Sequence, residues 1–152
     1  MKAVWLSHVL NNSTPLYGGA KEISISADRT IPSGDSCNTS ILKINSHAGT
    51  HVDAPHHFYQ DGRTVESYPP GQWVFLSPAL IEKDSSPGQI LDEYVLSPSF
   101  SNVERTTDLL LIKTGFEKYR DEAVYWEAGP GLAASLASVL SDTFPGLRAI
   151  GI

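Results

Sequence analysis

The order of apolar and polar residues predicts strands separated by loops, with a helix late in the chain. Residues 2–10 are rich in Val, Trp and Leu and read as a first strand, followed by the loop NNSTPLYGG at 11–19. Residues 22–27, EISISA, alternate, with Ile23 and Ile25 on one side, as in a half-buried strand. The polar stretch 29–38 is loop, and 39–45, TSILKIN, is a strand in which Ser40, Leu42 and Ile44 alternate with Thr39, Ile41 and Lys43. Residues 73–82, WVFLSPALIE, are apolar, but Pro78 lacks the amide proton that a central strand needs. This segment is therefore an edge strand or a pair with a bend. Residues 88–95, GQILDEYV, suit one or two helical turns, and 108–114, DLLLIKT, with successive apolar residues, suit a strand covered on both faces.

The helix is expected in GPGLAASLASVLSDTFPG, 129–146. Pro130 fits the first helical position, where its missing N–H is no loss. Leu132, Leu136, Val139 and Leu140 form one apolar stripe, and Pro145 and Gly146 stop the helix. LRAIGI then begins another strand. Strand, helix, strand is a crossover unit and implies parallel pairing. The pattern is that of an α/β chain, and 152 residues suggest one domain. Ile152 falls inside an apolar strand, so the expectation is a domain cut short on its C-terminal side.

Composition narrows the partners. The chain is 41% hydrophobic and 18% charged, with a formal net charge of −6. A negative surface repels phosphate backbones, which argues against nucleic acid. The apolar runs are too short to span a bilayer, and the opening MKAVWLSHVLNN does not read as a secretory leader. The single cysteine, Cys37, reads as an inert, partly buried thiol, and a reducing, cytoplasmic setting is expected.

The candidate chemistry lies in SHAGTHVDAPHHFYQDG, 46–62, which holds four of the chain's five histidines. His47, His51 and Asp53, with His57, run H-x3-H-x-D-x3-H, and imidazole nitrogen with carboxylate oxygen is a zinc-binding combination. A helix is a poor host, because Thr50 and Val52 are β-branched and Pro55 would break it. All four positions are odd-numbered, so an extended backbone points them to one side. Full extension would separate His47 from His57 by roughly 30 Å. The chain must therefore bend, with Gly49 supplying an unusual dihedral and Pro55 holding Ala54 extended. His57 is then a further ligand or the base, and His56, on the opposite parity, is peripheral. A bound zinc ion lowers the pKa of water toward 7, and an imidazole can carry the proton to a leaving nitrogen. That chemistry hydrolyses an amide, lactam or ester.

These residues also carry a resemblance. HAGTHVDAPHHF, 47–58, resembles the signature H-x-G-T-H-x-D-x-P-x-H-F of the cyclase family of metal-dependent hydrolases, which includes bacterial kynurenine formamidase and isatin hydrolase. LSHVLNNSTPLYGG, LLLIKTGFEKY, YWEAGPGLAASLASVL and LRAIGI resemble further family segments, in order along the chain. The resemblance implies a swivelling β/β/α fold, with a mixed sheet or barrel-like core and flanking helices, assembled as a homodimer or larger. It assigns His47, His51 and Asp53 to a zinc or manganese ion. His57 becomes the catalytic histidine, able to touch a second ion. Trp5 and Tyr17 fall in regions that line the substrate pocket, and Phe58 packs beneath the motif. From the residues alone these aromatics read more safely as core or surface contacts.

Two departures stand beside the match. Gly18-Gly19-Ala20 replaces the family's Pro-Gly-Asp, and the family's C-terminal tail, with a further histidine and glutamate, has no counterpart. Glu117, Glu122 and Glu127 are not in matching places and read as a solvated segment. The reaction implied is hydrolysis of an amide C–N bond in a small molecule, above all N-formylkynurenine to kynurenine and formate. Lactam hydrolysis of the isatin type, another reaction of the family, and a non-catalytic remnant are the alternatives.

Overall fold

The computed structural model describes residue 5, residues 7–17 and residues 23–152. It has a mixed α/β architecture and forms two compact units, Met1–Asp53 and Ala54–Ile152. Part of the strand expected over 2–10 lies outside the described residues, as does the Gly18-Gly19-Ala20 loop; residues 7–10 form no strand.

In the first unit, β1 (Ser24–Arg29) pairs antiparallel with β2 (Thr39–Lys43), Ile25 opposite Leu42, with a register shift between Ala27 and Arg29. Both strands fall where alternation predicts them. On the free side of β1, the Asn12 side chain accepts from Ile25 N–H at 2.7 Å and donates to Ile25 C=O at 3.3 Å, so a side-chain amide stands in for a neighbouring strand. Leu16, Ile23 and Ala48 make a small core. Cys37, expected to be partly buried, is exposed, because it lies in the polar 30–38 connection and packs against no core residue.

In the second unit β3 (Pro78–Glu82), β5 (Leu109–Lys113) and β7 (Ala149–Gly151) form a parallel sheet in that order. β3 is an edge strand that begins at Pro78, so the missing N–H breaks no internal ladder bond. The crossover into β7 runs through a short α2 (Ala123–Glu127) and then α3 (Leu136–Thr143), as the strand-helix-strand pattern predicts.

Three elements differ from their expected form. The helix begins at Leu136 and not at Pro130, because Gly131–Leu132 forms β6 and pairs in parallel with β4 (Ile90–Leu91). The Gly131 and Ala133 amides donate to the carbonyls of Gln89 and Leu91, both at 2.9 Å, and this pairing outweighs the helical spacing of Leu132. The second difference follows from the first. The expected turns at 88–95 divide into β4 and α1 (Glu93–Phe100), which Asp92 caps by accepting from Val95 N–H at 3.0 Å. α1 continues through Pro98, which has no amide to donate to the Tyr94 carbonyl one turn earlier.

Third, β5 is covered on one face only. Leu96 and Phe100 of α1 pack with Leu136, Leu140 and Phe144 of the α3 segment against Ile81, Leu110 and Ile112, and Phe100 meets Phe144 edge-on at 5.4 Å. Both helices thus serve the same face, and Leu111 and Leu80 on the opposite face stay 39% and 58% exposed. A short, central parallel strand reads as doubly covered by composition alone.

A polar clamp holds the run before β3. Asp108 accepts from Leu76 N–H at 2.9 Å, from Ser77 N–H at 3.0 Å and from the Arg148 guanidinium at 2.9 Å. Arg148 also donates to the carbonyls of Gly71, Gln72 and Val74 and lies over the Phe75 ring. Burial alone would push the Asp108 carboxyl up, but the two amides and the guanidinium outweigh it and hold the pKa below the ordinary 3.8. A depressed carboxyl contributes stability that is present above 3.8 and is lost as pH falls through its lower folded value. Asp108→Asn is therefore expected to lower the Tm at neutral pH. The gap from the parent should hold down to pH 3.8 and close below it in thermal melts followed by circular dichroism.

Candidate metal centre

The ligand-bearing stretch follows β2 immediately. Asn45 turns the chain: its side chain accepts from His47 N–H at 2.8 Å, and its carbonyl accepts from Ala48 N–H at 3.0 Å. Ala48 points into the small core with Leu16 and Ile23. Gly49 then takes a φ of +66°, open to glycine and strained for other residues, and a Cβ there would lie 2.6 Å from Leu10 Cδ2. The bend at Gly49 is as the sequence predicts. The regular alternation invoked for the odd-numbered residues is absent, because β2 ends at Lys43 and turns carry the chain from there.

Those turns bring three ligand atoms together. His47 Nδ1 lies 3.0 Å from Asp53 Oδ1 and 3.1 Å from His51 Nε2, and His51 Nε2 lies 3.5 Å from the same Asp53 oxygen. Four ligands at zinc's usual bond length of about 2.0–2.1 Å stand roughly 3.3–3.4 Å apart at the edges of a tetrahedron. The three separations bracket that spacing. The side chains keep 30–37% of their surface exposed, so solvent reaches the group. The imidazole rings meet edge-on, with centroids 5.0 Å apart.

The orientation of His51 is set from behind. Its Nδ1 lies 2.7 Å from the Gly49 carbonyl, which can only accept, so Nδ1 carries the proton and the Nε2 lone pair faces Asp53 and His47. Residue types and separations therefore fit a divalent ion held by His47, His51 and Asp53. Sequence reasoning named these three residues but missed Asn45 and the Gly49 carbonyl. The signal available for Asn45 was its type, a common turn former, two residues before the first ligand.

The remaining candidates fall as follows. His57 lies in the second unit, at the end of a single 3-10 turn, Pro55–His57, with its ring edge-on to Phe58 at 4.4 Å. Ala54 before it is extended, with φ −89° and ψ 162°, as its place before Pro55 dictates. Phe58 is 74% exposed, and Trp5 and Tyr17 are exposed as well. His56 is exposed; it helps hold the Glu66 carboxyl below its ordinary pKa, after the larger contributions of Glu66's own amide and the Thr64 side chain. Among the described residues, no helix is long and apolar enough to cross a membrane.

Comparison with known proteins identifies the family. The family model described as "Putative cyclase" matches residues 4–152, and the chain belongs to that family. Among curated relatives, it is 34% identical over 114 residues to a Haemophilus influenzae protein described as uncharacterized, covering 74% of this chain and 80% of that one. It is 32% identical over 147 residues to the kynurenine formamidase of Bacillus cereus strain ATCC 14579, covering 97% of this chain and 66% of the relative. The kynurenine formamidase of Bacillus anthracis is 29% identical over 151 residues, covering 99% and 68%. The chain thus spans about two-thirds of the length of these formamidases.

If His47, His51 and Asp53 hold the ion, His51→Ala removes a ligand. Loss of a mere supporting partner weakens metal affinity about 10–100-fold, so loss of a ligand should exceed that. Titration calorimetry with zinc and with manganese measures it; unchanged affinity in the variant would rule the group out.

Proposed function

We propose that this protein is a metal-dependent hydrolase of amide C–N bonds in small molecules, with N-formylated aryl amines such as N-formylkynurenine as the substrate class. The observation that carries the reading is the convergence of His47 Nδ1, His51 Nε2 and Asp53 Oδ1 within 3.5 Å of one another. Membership of the cyclase family and the kynurenine formamidases among the relatives support the substrate class. The ion is zinc or manganese. When bound, it makes water acidic enough to yield a nucleophile near neutral pH and polarises the carbonyl oxygen.

The rest falls to the chain's own groups. Only Ala54, Pro55 and His56 separate Asp53 from His57. His57 takes a proton from the attacking water and delivers it to the departing aniline nitrogen, so that formate and the free amine leave. Imidazole suits this exchange because it titrates nearest to neutral pH. A formyl group carries only hydrogen beyond its carbonyl, so a shallow site accepts it where a longer acyl chain would clash. A cytoplasmic setting suits the exposed thiol of Cys37.

The deciding assay uses N-formylkynurenine beside isatin and simple esters, with metal-loaded protein. His57→Ala should lower kcat by roughly 10²–10⁴ and leave the ion bound; loss of the ion would make His57 a ligand instead. Turnover of isatin alone would move the substrate class to lactams. No turnover of any of these by metal-loaded protein would overturn the enzymatic reading.

The active form is a homodimer or larger. The β1–β2 pair leaves Ile41 57% and Leu42 63% exposed, apolar surface that association would remove from water. Sedimentation at micromolar concentration should show a species above the 16.5 kDa chain mass, and a lone species at that mass would refute the assembly.

A further inference from the structure

The turn that carries His57 is backed by a second run of its own loop. After Pro55–His57, the amides of Phe58 and Tyr59 both return to the Pro55 carbonyl at 3.0 Å. The chain then reverses, with Gly62 N–H donating to Tyr59 C=O at 2.9 Å, and His56 N–H closes the loop on the Arg63 carbonyl at 3.1 Å. The two runs touch at Gly62. A Cβ there would lie 2.5 Å from the Pro55 carbonyl carbon and 2.6 Å from both its oxygen and the His56 nitrogen. All three are main-chain atoms, so no side-chain rotation relieves the contact. Gly62 is not among the glycines of positive φ, so space requires glycine here, and conformation does not.

The returning run is itself held down. The Arg63 guanidinium lies 3.8 Å above the Tyr68 ring and donates to the Ser67 carbonyl at 2.6 Å. We propose that Gly62 is a positioning residue: its lack of a side chain lets the returning run seat the Pro55–His57 turn and so aims the His57 imidazole. This rests on the proton-transfer role given to His57 above. Proton transfer needs heavy atoms within about 2.6–3.2 Å, and a misplacement of about 1 Å can lower a rate about 10²-fold. Any side chain at Gly62 must push the turn by a shift of that order.

Gly62→Ala is compared with Gly71→Ala, whose Cβ would meet nothing within 4 Å and whose φ is not positive. The expected result is a kcat lowered about 10–10²-fold by Gly62→Ala, with zinc content unchanged and Gly71→Ala equal to the parent. Nuclear magnetic resonance supplies a reading independent of turnover. The His57 ring protons lie beside the Phe58 ring, so their ring-current shifts report the aim of the imidazole. Gly62→Ala should move them and Gly71→Ala should not. Arg63→Ala, which loosens the returning run without a clash, should change both readings in the same direction by less, and it decides the question if Gly62→Ala fails to fold. Unchanged kcat and unchanged His57 shifts in a folded Gly62→Ala, or in Arg63→Ala where that variant decides, would overturn the proposal. Full activity of His57→Ala would instead overturn the role of His57, leaving the ring-proton shifts to test the positioning alone.

Discussion

Three candidate ligand atoms drawn from the seven residues 47–53 can meet only if the backbone folds back between them. That constraint governs the first unit. Asn45 starts the reversal, the burial of Ala48 anchors it, and the left-handed Gly49 completes it. The positive φ of Gly49 strains any other residue at the bend, and a Cβ there would also displace the Leu10 side chain. The ligand atoms then stand at separations that a tetrahedral ion would set. Apolar packing thus does part of the metal-site geometry, because the one buried residue of the stretch sits between the first two ligands.

The second unit solves a different problem with the same materials. A three-stranded parallel sheet needs long connections, and both helical ones lie on one face with a shared aromatic contact, Phe100 against Phe144. The start of the sheet is fixed by polar groups. One carboxylate and one guanidinium bind two amides and three carbonyls of the run before β3. Such a run would leave its backbone groups to solvent if either partner were missing.

The grouping of His47, His51 and Asp53 was legible in the sequence because metal binding demands particular side chains, and those are visible as letters. The bend at Gly49 and the extended residue before Pro55 were legible for a related reason, since each residue type permits few conformations there. The parallel crossover through α3 was legible from its apolar stripe and its Pro-Gly stop. What escaped were features made by main chain. Gly131–Leu132 reads as the head of a helix until β4 is present to pair with it. The alternation invoked for the histidines was replaced by turns, because Asn45 competes for the local amides with its side chain. The one-sided burial of β5 depends on which face the helices choose, and the apolar run 109–112 is the same either way.

The partner that orients His51 is the carbonyl of Gly49, a group every amino acid possesses. A side chain in that role would be lost through a single codon change, and the ring would be free to present either nitrogen. A main-chain partner cannot be deleted in that way. It can only be displaced, by altering the path of the backbone. The aim of His51 is therefore shielded from most side-chain changes, and the risk falls on the residues that set the backbone path, Asn45, Ala48 and Gly49. Any substitution nearby that leaves the backbone path intact also leaves the Nε2 of His51 facing Asp53 and His47.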